Sequence, residues 1–135
     1  MNNSLIYLAT PSVATVPAEG TLPLTTIVRR RGQSVQQSSD SILLGTPGYY
    51  HVSVSTSFTA PASGTVTHTL RLDGVAIQGG TASTSIETPT TEVRSLSFEA
   101  IVRVPCCGAP VTLTITNDGV DITTSNIAVS VEYLG

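Results

Sequence analysis

A chain of 135 residues with 11% charged and 40% hydrophobic side chains is one domain by size and buries about two-thirds of its unfolded surface. Its six arginines stand against nine acids, for a net charge of −3 with no lysine, which excludes the basic face that a grip on nucleic acid needs. Roughly a quarter of the residues are Ser or Thr; with Val they suit a pleated sheet, and helix formers never recur at helical spacing, so the fold class is all-β.

Low charge combined with many hydroxyls threatens solubility, and burying a weakly charged face in an oligomer is one remedy. The first residues, MNNSLIYLATPSVATVP, lack a basic leader, and the apolar run Leu5 to Ala9 is too short for a signal-peptide core. No stretch approaches the eighteen apolar residues of a membrane span. Synthesis in the cytoplasm, with entry into a virion inside the host as one route outward, is the expectation.

In chain order, Leu5 to Ala9 is a first strand, and residues 1–20 are set apart as a strand or anchor segment before a jelly-roll domain at 21–135. Residues 10–23, with Pro11, Pro17, Gly20 and Pro23, form an irregular approach along a sheet edge. Leu24 to Arg29 is the next strand, stopped by Arg30-Arg31-Gly32. Two short strands follow at Ser34 to Gln37 and Ser41 to Leu44.

From Pro47 to Gly74 the alternation is strongest. Tyr50, Val52, Val54 and Phe58 alternate with Tyr49, His51, Ser53, Ser55 and Ser57, the period of a half-buried strand. After a Pro-Gly loop, Val66, His68, Leu70 and Leu72 alternate with Thr67, Thr69 and Arg71, and the pair is expected to form a β-meander. Asp73-Gly74 is the strongest hairpin signal, because a tight primed turn needs positive φ at both central residues. Gly79-Gly80 is a turn, and Thr81 to Thr91 a long loop with at most a short edge strand. Leu96 to Val104, Val111 to Ile115 and Ile127 to Leu134 complete eight to ten strands, a pattern that argues for a β-sandwich or jelly roll. An immunoglobulin sandwich is disfavoured, since its buried Trp and paired core Cys are missing.

The order of elements resembles the globular heads of the complement/tumour-necrosis-factor-like superfamily, in its bacterial and phage form: phage head-fibre or decoration-like domains and spore-surface glycoprotein C-terminal domains. The residues that carry the likeness are Gly48, Tyr49, Tyr50, Leu70, Leu72, Asp73, Gly74, Val129, Val131 and Leu134. The resemblance implies a jelly roll of about ten strands forming a homotrimer, with the outer face of one sheet packed about the three-fold axis. Mapped onto this chain, that face holds Tyr49, His51 and Ser53, then Glu99, Ile101 and Arg103, then Ala128, Ser130 and Glu132. Arg103 is placed to meet Glu99 or Glu132 across subunits.

No catalytic constellation is present, so the protein is expected not to be an enzyme and to use neither cofactor nor metal. Gly32 to Gln36 lacks the second glycine of a nucleophile elbow. For Cys106-Cys107 three fates stay open: packed free thiols, a vicinal or inter-subunit disulfide, or metal binding with His51 and His68 as the available partners. Synthesis inside the cell disfavours the disulfides. His68, in register with Val66 and Leu70, is a partly buried structural histidine, and His51 an interface hydrogen bonder. Arg29-Arg30-Arg31 is a solvated loop, or a contact for an acidic partner. Asp118 and Asp121 are turn formers, with calcium the other reading.

Together these features describe a structural virion protein of a tailed phage: a head fibre, capsid decoration or fibre-tip module on the virion surface. Its partners are itself and other virion proteins, with neither nucleic acid nor membrane. The alternatives are a module binding a cell-surface glycan or protein, and a bacterial cell- or spore-surface coat protein.

Overall fold

The computed structural model describes residues 4–105 and 110–135. Cys106 and Cys107 lie outside the described residues. Twelve strands, and no helix among the described residues, form two antiparallel sheets. The first sheet orders β10 (Arg94–Val104), β7 (Gly48–Thr59), β12 (Ile122–Tyr133), β1 (Leu5–Thr10) and β4 (Thr26–Arg31), with β2 (Ala14–Val16) extending β12. The second orders β5 (Val35–Ser38), β6 (Ser41–Leu44), β11 (Val111–Asn117), β8 (Gly64–Leu72) and β9 (Val75–Ile86), with β3 (Gly20–Thr21) paired to β11.

Strict alternation sorts each long strand into a core side and a solvent side. Tyr50, Val52, Val54 and Phe58 of β7 and Ile127, Val129 and Val131 of β12 face Val66 and Leu70 of β8 and Leu113 and Ile115 of β11, all buried. Each such side chain contributes about 1.5–3 kcal/mol when withdrawn from water. Tyr50 carries a hydroxyl into this core and satisfies it locally, donating to the Thr46 carbonyl at 2.6 Å. Burial pushes its phenol above the ordinary value of 10.0.

Several strand expectations are corrected. β7 and β8 do not pair: the chain leaves the first sheet at Thr59 and enters the second at Gly64. Alternation and a Pro-Gly loop are common to a hairpin and to a corner between sheets, so the pattern alone could not separate them. The Asp73-Gly74 turn does close a hairpin, with φ of 49° and 84° and Leu72 opposite Val75. The segment expected as a long loop from Thr81 is strand as far as Ile86, paired to β8 with Thr67 opposite Ser83. Gly79 (φ 83°) and Gly80 lie within β9, where the register breaks between Thr69 and Arg71.

β4 continues through all three arginines to Arg31 rather than ending before Arg30. β1 pairs with β12 on one side and β4 on the other, so its strand is an interior member of the sheet, and Gly20 opens β3. The turn after β11 is close-packed, since a Cβ at Gly119 would collide with the Thr65 carbonyl.

Candidate assembly interface

The pairings of the first sheet define its outer face row by row. One row runs Ile101, His51, Glu132, Leu5, Arg31 across β10, β7, β12, β1 and β4. The next runs Glu99, Ser53, Ser130, Tyr7, Arg29, and the one below it Ser97, Ser55, Ala128, Ala9, Thr26. Arg103 stands beside Tyr49 at the far end. All nine residues mapped from the resemblance therefore share one face, on three adjacent strands.

Leu5, Tyr7 and Ala9 extend that face and were missed because residues 1–20 were set apart. The signal was present: they alternate with the buried Ile6, Leu8 and Thr10.

The face exposes large apolar side chains beside its charged ones. Ile101 is 61% accessible, Tyr49 49% and Tyr7 38%. Val28, at the register shift of β4, and Leu134 just after β12 are exposed as well, and Ile27 is exposed on the opposite side of β4, beside Leu8. Between the exposed groups of this face lie Ser53, Ser55, Ser130 and Ala128 together with His51, Glu99 and Glu132. Among the described residues, five of the nine exposed large hydrophobic side chains thus lie on strands of the first sheet, and only Val75, at a hairpin tip, on a strand of the second.

His51 donates or accepts through Nε2 at 3.0 Å from Glu99 Oε2, within one chain. Among the described residues no carboxylate lies in ion-pair range of Arg29, Arg31 or Arg103, so the expected Arg103 contacts are not made within a single chain.

The remaining candidates are structural. His68 is fully buried, beyond the partial burial expected, with Nδ1 3.3 Å from Thr56 Oγ1 and its ring tilted on Phe58 at 5.4 Å. Burial lowers its pKa to about 4, against a weaker upward pull from Asp118. Asn117, directly opposite on β11, donates Nδ2 to the Val16, Pro17 and Val120 carbonyls and so fastens the N-terminal strap over the sandwich end.

Asp118 binds Arg71 at 3.4 Å and Thr116 at 3.0 Å. Burial raises its carboxyl, but hydrogen bonds from Thr69 and Thr116 and the Arg71 charge outweigh that and hold it below the ordinary value. Asp121 accepts from the Ala18 amide at 2.7 Å. Both aspartates are thus engaged in closing turns and straps. A cleft of about 480 Å³ lies at the opposite end, lined by Gln33, Ser34, Gln36, Leu43, Thr46 and Pro110 among others.

No family model matches the chain, and no curated protein matches it. Solved structures do. The Eiger tumour necrosis factor of S. frugiperda superposes with TM-score 0.76 at 13% identity, covering 99% of this chain and 92% of that one. The chain has a tumour-necrosis-factor-like jelly-roll fold. The globular domain of the zebrafish complement 1qA protein matches this jelly roll with TM-score 0.68 at 10% identity, over 97% and 96% of the two chains. The PRD1 vertex protein P5 does so with TM-score 0.62 at 13% identity, over 98% and 97%. In this jelly roll the nine mapped residues lie on the outer face of the β10-β7-β12-β1-β4 sheet.

Proposed function

We propose that the chain is a non-enzymatic structural module that assembles as a homotrimer through the outer face of its first sheet and serves on the surface of a tailed-phage virion. The observation that carries the assembly is the exposure of the apolar side chains Tyr7, Tyr49 and Ile101 on one face, with Leu134 just beyond it, among Ser and Ala residues and a few charged ones. Contiguous apolar surface on a soluble domain marks a contact. Cyclic assembly buries it in every copy at once.

The virion placement has fold support from the PRD1 vertex protein, a particle component with the same architecture. Head fibre, capsid decoration and fibre tip are the roles such a module fills, as a bacterial-and-phage form of the superfamily would. Its partners are further copies of itself and other virion proteins.

Light scattering on the purified chain is expected to return three times the 14.0 kDa chain mass. A monomer at tens of micromolar contradicts the assembly. Gold-labelled antibody against the chain is expected to decorate intact particles. Label confined to bacterial cells or spores would transfer the role to a cell-surface coat.

A further inference from the structure

We infer that Arg29 on β4 of one copy pairs with Glu99 on β10 of the next, so that the ring is closed by three repeated ion pairs between opposite margins of the same face. This rests on the trimeric reading above and specifies which residues of the second copy complete the site. The first observation is the distribution of charge across the face. Glu99 and Arg29 occupy one row, separated by Ser53, Ser130 and Tyr7. Four strand spacings set them about 19 Å apart, far too distant to meet within one chain.

The second observation is that both charges have capacity left over. The Arg29 guanidinium donates only to the carbonyl of its own neighbour Val28, at 2.8 Å, among the described residues. Glu99 uses Oε2 for His51, and its side chain remains 69% accessible. Within this row an acid at one margin and a base at the other, with neutral residues between, are complementary only when displaced sideways; Glu132 on β12 lies one row away.

That displacement is what three-fold symmetry demands. A two-fold contact sets like patches together, whereas a three-fold ring joins two different patches of each copy. With the axis running along the strands, each row keeps its height, and the Arg29 margin of one copy meets the Glu99 margin of the next. Arg103 is the like charge on β10, but it stands four residues from Glu99, about 14 Å along the strand. Arg31 lies one row away from Arg29, in the row that carries Glu132 on β12 and ends at the apolar Ile101 on β10. Charge reversal at a close pair costs enough to change association by an order of magnitude or more.

The test is a charge swap read by light scattering over a dilution series of the full chain. Arg29→Glu and Glu99→Arg are each expected to raise the concentration for half-assembly by about tenfold or more, and the double variant to return it to within about threefold of the parent. Single reversals that assemble like the parent, or a double variant no better than the weaker single, overturn the pairing. A monomeric parent overturns the trimeric reading instead, so the two failures are distinct.

Both side chains are exposed, and the melting temperature of each variant is expected to match the parent under dissociating conditions. Should a reversal lower it, Arg29→Gln, Glu99→Gln and their combination replace the swap. The combination is then expected to lose no more than the worse single change, and additive losses overturn the pairing.

Discussion

The outer faces of the two sheets draw on similar Ser, Thr and β-branched residues, yet they satisfy themselves differently. On the second sheet, Thr67 and Ser83 hydrogen-bond across β8 and β9 at 2.9 Å, and Arg71 is held by Thr116, Asp118 and the Gly74 carbonyl. Donors meet acceptors and the charges meet each other inside one chain. On the first sheet, Arg29, Arg31 and Arg103 have no carboxylate partner among the described residues, and Tyr49 and Ile101 stand open to solvent. The first face also carries more exposed large hydrophobic side chains. The second face pairs its charges within the chain, whereas on the first the described residues form only the His51–Glu99 pair, and the difference depends on register.

The strongest way to break this contrast is to charge the middle of the first face. Ser53→Arg places three like charges within the proposed assembly, and light scattering is expected to show a monomer whose circular dichroism is that of a folded sheet. The same change at Thr112 on the second sheet should leave the mass unaltered.

Acid should act on the subunit through the interior of the second sheet. Burial lowers the folded pKa of His68 to about 4 from the ordinary 6.5, so the unfolded chain binds its proton first. The contribution is complete above about pH 6.5, falls as pH drops toward 4, and amounts to about 3 kcal/mol in total. Denaturant melts across that range should show the slope, and His68→Gln should flatten it.

Smaller effects sharpen the same contrast. Arg71→Ala removes bonds to Thr116, Asp118 and the Gly74 carbonyl and is expected to cost the subunit about 1 kcal/mol, after allowing for partial exposure. Association should be unchanged, as analytical ultracentrifugation would show. Thr67→Val deletes one exposed cross-strand bond and should cost about 0.5 kcal/mol or less in the same denaturant melt.

Much of this was legible from alternation alone. The buried sides of β7, β10, β11 and β12 follow directly from period two, and Asp73-Gly74 marks its hairpin because only a few residue types tolerate positive φ there. Sheet membership was not legible. A strand with one polar side reads the same whether its neighbour in sequence pairs beside it or crosses to the other sheet, which is why β7 and β8 looked like a meander. β9 was hidden for a related reason: an edge strand of Ser, Thr and Ala, interrupted by Gly79-Gly80, lacks the apolar side that identifies a strand.

The nine residues mapped from the resemblance share a face that follows from the resemblance together with alternation. Leu5, Tyr7 and Ala9 completed it only when β1 was seen between β12 and β4. The full burial of His68 depends on Phe58 and Thr56 from the opposite sheet, contacts that no local pattern encodes.

The most direct measurement compares two matched substitutions by light scattering at equal concentration: Tyr49→Glu on the first sheet and Thr114→Glu on the second. The first is expected to give a folded monomer and the second a trimer. A trimer from Tyr49→Glu, or a monomer from Thr114→Glu alone, would contradict the assignment of assembly to the first sheet.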